Sequence, residues 1–180
     1  MKRATLFGIS SILFGLRETA AQISNATCGP SYNWMLNSHR QNPCQVVAHL
    51  GGVCDAGAQT NIPALKPGEL YIGPTQQESN ACRCSSVFYS LLSACAICQS
   101  REYLNWSIYN RSCSVIYPAV FIGEIPAETT VETWVYQNVT VGQKFHFSRC
   151  HTFDECRNTM VSMFQRPSQL PPVVFIRPCK

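Results

Sequence analysis

Charge is what this sequence has least of. Lys, Arg, Asp and Glu make up 13% of its 180 residues, about half the usual share. The formal net charge of +4 suggests a basic protein, but its distribution does not. Residues 22–141 hold five cations (Arg40, Lys66, Arg83, Arg101, Arg111) against seven acids (Asp55, Glu69, Glu78, Glu102, Glu124, Glu128, Glu132), a net of −2. The positive balance comes from residues 1–21, at +2, and from residues 142–180, at +4. The central region therefore offers no nucleic-acid surface.

Catalytic patterns are missing too. There is no G-x-S-x-G, no H-E-x-x-H and no phosphate-cradling glycine loop. Glu124, Glu128 and Glu132 recur every four residues, but Pro126 interrupts any helix that would align them, so they read as solvated acids. The four histidines (His39, His49, His146, His151) have no finger-like spacing to the cysteines, which argues against zinc. His39 and His49 are placed on helix faces, as packed or solvated side chains. These absences predict a chain that is not an enzyme and holds no metal or cofactor.

Long apolar runs are scarce as well. The one at Ala4–Leu16 follows Lys2-Arg3, carries Gly8 and Gly15, and leads to Thr19-Ala20-Ala21. It is too short to span a bilayer. Basic start, apolar stretch and small-residue end together describe a secretory signal peptide over 1–21. Its removal is expected to leave a secreted or extracellular chain without a membrane span.

Cysteine, by contrast, is abundant, with eleven residues. Eight of them (Cys28, Cys44, Cys54, Cys82, Cys84, Cys95, Cys98, Cys113) fall within about half the chain. In an oxidising compartment an even set of this kind predicts four disulfides. Counting leaves 105 possible pairings. Cys82 and Cys84 are too close to pair comfortably and should reach different partners. Cys95-Ala96-Ile97-Cys98 has the C-x-x-C spacing of a redox pair, but no βαβ pattern surrounds it. It reads as two structural half-cystines on one helix face. Four sequons, at Asn25, Asn105, Asn110 and Asn138, predict N-glycosylation. Asn105 and Asn110 must then face solvent, opposite Tyr103 and Trp106.

Periodicity predicts helices over Ser31–Arg40, from Asn42-Pro43 to Gly51-Gly52, over Cys84–Cys98 and over Glu102–Asn110. In the second, Asn42 should cap, Pro43 should open the first turn and the glycine pair should end it in the left-handed conformation. Residues 55–79 are loop-like, with a short extended piece near Glu69–Ile72, and Thr130–Val141 reads as an extended strap. The expected fold class is mainly α: a small disulfide-rich helical domain of three to four short helices with long loops and an extended C-terminal strap. The expected organisation is a signal peptide over 1–21, a disulfide-rich extracellular domain over 22–141, and a basic, disordered or atypical tail over 142–180. That tail adds Cys150, Cys156 and Cys179, an odd number, and a proline-rich end.

Several stretches resemble the ectodomain of a large set of uncharacterised mushroom-type fungal surface proteins. They are Trp34-x-x-Asn37-Ser38, Asn42-Pro43-Cys44-Gln45-Val46-Val47-Ala48, Cys82-Arg83-Cys84-Ser85, Tyr89 to Cys95, and Trp106-Ser107 through Cys113. The resemblance covers about Cys28 to Val141. It implies a stalk rich in Ser and Thr and one transmembrane helix after the ectodomain; residues 142–180 match neither, which points to a truncated or alternatively spliced form. A longer form with an anchor would sit at the cell surface. The cysteine pattern also resembles the fungal CFEM domain, some members of which bind haem through an aspartate three residues before a C-x-C. Here Ser79 holds that position and Glu78 is out of register, so no haem site is carried over.

The sequence thus predicts a non-enzymatic extracellular module with an unidentified partner or ligand. The alternatives are a CFEM-like binder of haem or a small apolar ligand, motivated by Phe88, Tyr103, Trp106 and Tyr109, and a secreted enzyme of unknown type.

Overall fold

The computed structural model describes residues 24–58, 60–140 and 144–145. The expected signal peptide and the tail beyond Phe145, with His146, His151, Cys150, Cys156 and Cys179, lie outside those residues. The described part is mainly helical, with three α-helices and two 3-10 helices. Among the described residues the strand-like pairing is a single parallel bridge, Ser85 to Tyr117.

The helix that follows this bridge, Ser86–Cys98, is the axis of the molecule; it is α2 in chain order. Twelve of its thirteen residues are buried, Ile97 being the exception. A helix apolar on all sides must be enclosed on all sides. It begins two residues later than its periodicity suggests. Cys84 N–H donates to Asn80 O (2.9 Å), and Cys84 O accepts from Tyr117 N–H (3.2 Å). The Ser85 hydroxyl is then free to cap the helix by accepting from Phe88 N–H (3.2 Å). At the other end, Ser100 N–H donates to Ile97 O (2.8 Å) and Arg101 N–H to Ala96 O (2.9 Å). This is a Schellman ending, and it places Ser100 at φ 57°, where glycine is at ease. Ser100→Gly is therefore expected to raise stability by about 1 kcal/mol, read as a higher denaturant midpoint.

Helix α1 (Pro43–Cys54) packs against α2. Its start is as expected: Asn42 Oδ1 accepts from Gln45 N–H (3.0 Å), Gln45 Oε1 accepts from Asn42 N–H (2.9 Å), and Pro43 opens the first turn. Its end is not. Gly51 and Gly52 lie inside the helix, and Cys54 is its last residue. Gly57 N–H donates to Gly52 O (2.7 Å) and Ala56 N–H to Val53 O (3.3 Å), so the left-handed residue is Ala56, at φ 55°. Gly51 instead makes room, since a Cβ there would come within 2.8 Å of Thr60 Cβ. It lets the returning loop touch the helix.

Two other expected helices are shorter. The one over Ser31–Arg40 is a 3-10 helix, Pro30–Met35. Asn37 ends the helical path by drawing the next residues into a loop of its own: its Oδ1 accepts from His39 N–H (3.0 Å) and Gln41 N–H (2.8 Å). His39 consequently sits exposed in a turn, not on a helix face. The one over Glu102–Asn110 is reduced to a single turn, α3 (Trp106–Tyr109). Asn105 is extended, with φ −67° and ψ 150°, so the helical path starts only at Trp106; the Tyr89 hydroxyl donates to Leu104 O (2.7 Å) and fixes the segment before it.

The C-terminal strap, described through residue 140, follows the expectation with two turns added. One is Thr133–Tyr136, a 3-10 helix that packs on α2 and buries Val135, and the other is at Val139–Thr140. Asn37 Nδ2 donates to Thr130 O (3.0 Å), and Gln41 Nε2 donates to Glu128 O (2.9 Å), which pins the strap to the first loop. The packed region runs past Val141, since Phe145 is also buried and Tyr103 Oη donates to its carbonyl (3.1 Å). The piece near Glu69–Ile72 forms no strand. Among the described residues no helix is long and apolar enough to cross a membrane.

Candidate functional site

All eight cysteines between Cys28 and Cys113 are paired: Cys28–Cys98, Cys44–Cys95, Cys54–Cys82 and Cys84–Cys113. Cys82 and Cys84 reach different partners. Cys95 and Cys98 are structural half-cystines, not a pair with each other. Residues three apart in a helix lie on one side of it, so the last turn of α2 receives both α1 and the N-terminal segment. Gly29 N–H adds a hydrogen bond to Cys98 O (2.9 Å). The three sulfurs of Cys28, Cys44 and Cys98 lie within 4.8 Å of one another, but in disulfides they are not thiolate ligands.

The aromatic set is core. Tyr89, Trp106 and Tyr109 pack ring to ring at 5.2–5.8 Å, and Phe88 and Trp106 are 1% exposed. Each tyrosine hydroxyl in this layer satisfies a carbonyl: Tyr89 at Leu104, Tyr103 at Phe145 and Tyr109 at Arg83. Burial pushes the phenols of Tyr89 and Tyr103 up from their ordinary value, and it pushes the fully enclosed Tyr109 furthest. Phenols held neutral in this way are structural donors. A void between Tyr71, Tyr89, Tyr103 and Tyr109 has about 10 Å³ of free space, no more than one water needs. Leu92, Ser93 and Leu104 complete its lining.

One partly buried ion pair stands beside the Cys54–Cys82 bridge. Arg83 Nε donates to Asp55 Oδ1 (3.0 Å) and Nη2 to Oδ2 (2.5 Å), while Thr60 Oγ1 donates to Oδ2 (2.8 Å). The guanidinium also lies 5.6 Å from the Phe88 ring centre. Burial alone would raise the Asp55 carboxyl, but the hydrogen bonds from Arg83 and Thr60 and the Arg83 charge outweigh it and hold the group below its ordinary value. A lowered carboxylate stabilises the fold above its unfolded-state pKa, and the gain is lost as pH falls through the lowered one. Thermal melts between pH 7 and pH 2 should therefore show a stability loss beginning near pH 4. Asp55→Asn should remove part of that slope and cost about 1 kcal/mol at neutral pH, a modest figure because the pair meets solvent.

Among the described residues His49 belongs to no cluster that could hold a metal. Burial lowers it from its ordinary value, Glu128 opposes that and His39 adds to it, with a net lowering. Its Nε2 lies 3.2 Å from Gln41 Nε2, inside the network that holds the strap. Asn37, Gln41 and Thr129 are the residues of that network which spacing alone did not flag. Asn37 is 5% exposed and its amide reaches Gln41 Oε1 (2.8 Å). The available signal was its place in the Trp34-x-x-Asn37-Ser38 stretch.

The four sequons differ in setting. Asn25 and Asn138 are exposed. Asn138 Oδ1 accepts from Thr140 N–H (3.1 Å) and from the Thr140 hydroxyl (2.6 Å), so the acceptor amide and the hydroxyl of that sequon already meet. Asn105 is half-buried at the start of α3 and makes no side-chain cap. Asn110 does not turn away from Trp106. With its amide turned to the orientation that satisfies both ends, Oδ1 accepts from Trp106 Nε1 (3.2 Å) and Nδ2 donates to Trp106 O (3.1 Å).

One surface feature remains. Val115, Ile116, Val120, Ile122 and Ile125 are each more than a third exposed within an eleven-residue stretch. Their neighbour Phe121 is buried and anchors the stretch to the core. No family model, no curated protein and no solved structure matches this chain.

Proposed function

We propose that this chain is a non-enzymatic, N-glycosylated module that works outside the cell, released from a signal peptide over 1–21 and related to the ectodomains of mushroom-type fungal surface proteins. The observation that carries the reading is the closure of all eight cysteines from Cys28 to Cys113 into four bridges around one buried helix. Such a frame forms and persists in an oxidising compartment. The exposed sequons at Asn25 and Asn138, the second with its amide and hydroxyl already in contact, support glycan attachment there before the half-buried Asn105 and Asn110. The scarcity of charge and the packing of the aromatic set both favour recognition of an extracellular partner over catalysis.

Expression of the full chain in a secreting eukaryotic host tests the proposal. The expected product starts at Gln22, has no alkylatable thiol among the eight cysteines, and shows Asn-to-Asp conversion at Asn25 and Asn138 after enzymatic deglycosylation. A protein that stays intracellular with those thiols reduced, or a purified product that turns over a cell-wall glycan or peptide, would overturn it.

A further inference from the structure

We propose that the two disulfides at the end of α2 form a thiol relay: a small thiol captured at Cys28 frees Cys98, which bonds Cys44 and releases Cys95 as a thiolate between Tyr71 and Gln99. Two observations carry this. The first is proximity. Cys44 Sγ and Cys98 Sγ belong to different bridges yet lie 3.9 Å apart, and Cys28 Sγ is within 4.8 Å of both. The second is the setting of the sulfur that would leave. Cys95 Sγ is 3.2 Å from Tyr71 Oη and 3.4 Å from Gln99 Nε2. The Gln99 amide shares its two hydrogens among this sulfur, Cys95 O and Tyr71 Oη (3.0 Å), and the Tyr71 hydroxyl has one hydrogen to turn toward a sulfur that becomes charged; donors at a leaving thiolate lower its pKa and speed its departure.

Exposure sets the point of entry. Cys28 is only partly buried, whereas Cys44, Cys95 and Cys98 are at most 1% exposed. An external low-molecular-weight thiolate attacks Cys28 Sγ. A mixed disulfide forms there, the Cys28–Cys98 bond breaks and the electron pair stays on Cys98 Sγ. Cys98 Sγ then attacks Cys44 Sγ. The Cys44–Cys98 bond forms, the Cys44–Cys95 bond breaks and the pair passes to Cys95 Sγ. Two disulfides are present before and two after, so nothing is oxidised or reduced overall, and Cys95 takes up the proton that the attacking thiol gave away. The Tyr71 hydroxyl now donates to Pro63 O (2.7 Å); it has only to swing toward Cys95. Gln99 stays where it is, anchored through its amide to Cys95 O (2.9 Å) and Leu65 N–H (2.9 Å).

The Cys28→Ser variant tests the relay because it leaves Cys98 as a thiol beside the intact Cys44–Cys95 bridge. The protein is denatured in acid, alkylated with a maleimide and digested, and fragment spectra place the label on Cys95 or Cys98. The expected result is a Cys44–Cys98 linkage with labelled Cys95 in roughly a tenth of the molecules or more. Adding Tyr71→Phe should slow the appearance of that linkage about tenfold, the size expected for one hydrogen bond to the leaving thiolate. Label on Cys98 alone, with Cys44–Cys95 untouched, would overturn the proposal. Should Cys28→Ser fail to fold, substoichiometric glutathione added to the native chain gives the same reading: glutathione on Cys28 together with a Cys44–Cys98 peptide supports the relay, and glutathione on Cys28 with Cys44–Cys95 retained sinks it.

Discussion

Replacing Cys44 and Cys95 together by alanine should lower the unfolding free energy by about 4 kcal/mol. The bridge closes a 51-residue loop, and the loop-closure entropy of a chain that long is about 4 kcal/mol at room temperature. Loop length alone does not rank the four bridges, because the dependence is logarithmic: the 28-residue loop of Cys54–Cys82 is worth only about 0.5 kcal/mol less. What singles out Cys44–Cys95 is its place. Both residues are fully buried where the first turn of α1 meets the last turn of α2, so the variant also leaves that contact without sulfur-to-sulfur packing. Against a total of about 5–15 kcal/mol for a domain, the loss leaves a marginal protein. Guanidinium unfolding should show a lower midpoint and a steeper slope, since the unfolded chain becomes more expanded. A midpoint shift worth less than about 1 kcal/mol would mean that the bridge only decorates a contact made without it.

The helices and the cysteine set were legible in the sequence to different depths, and the reasons are local. The start of α1 could be read because Asn42, Pro43 and Gln45 satisfy the first turn by their own chemistry. Its end could not, because Ala56 stands where glycine is the usual signal; the end of α2 at Cys98 was legible from its periodicity, although Ser100 and not glycine takes the left-handed position after it. Gly51 was visible, but its cause is Thr60, nine positions away in sequence and in contact only after folding. The short helices were overread for a related reason. A 3.6-residue period reports which side chains are apolar, and it is silent on where the backbone turns aside. The Asn37 side chain takes two N–H groups that a longer helix would need, and Asn105 is extended just before α3. The count of four disulfides followed from parity, whereas the pairing is a property of the assembled helices. The strap was recognised by composition, yet its hold on the domain through Asn37, Gln41 and Glu128 joins positions about ninety residues apart and leaves no periodic trace.

Gly73→Ala should be among the most damaging single substitutions in the loop between α1 and α2, costing at least about 3 kcal/mol. The reason is not backbone freedom. Gly73 does not have a positive φ, so alanine could adopt its conformation. The obstacle is space: an added Cβ would overlap the Tyr109 carbonyl oxygen and come within 2.7 Å of the carbonyl carbon and 3.0 Å of Tyr109 Cα. All three are main-chain atoms at the end of α3, and main chain cannot rotate aside as a side chain can. Either the loop lifts, taking the buried Pro74 with it, or α3 shifts, breaking the Tyr109 hydroxyl's bond to Arg83 O (2.9 Å) and disturbing its ring contact with Tyr89 on α2. Gly68 is the matched control in the same loop. It has φ +84° and nothing within 4 Å of a new Cβ, so Gly68→Ala carries only the left-handed conformational cost, about 1–2 kcal/mol. Side-by-side denaturation of the two variants separates close approach from conformation. Equal losses would show that the Gly73 contact yields easily, and that the loop rests on α3 without being held by it.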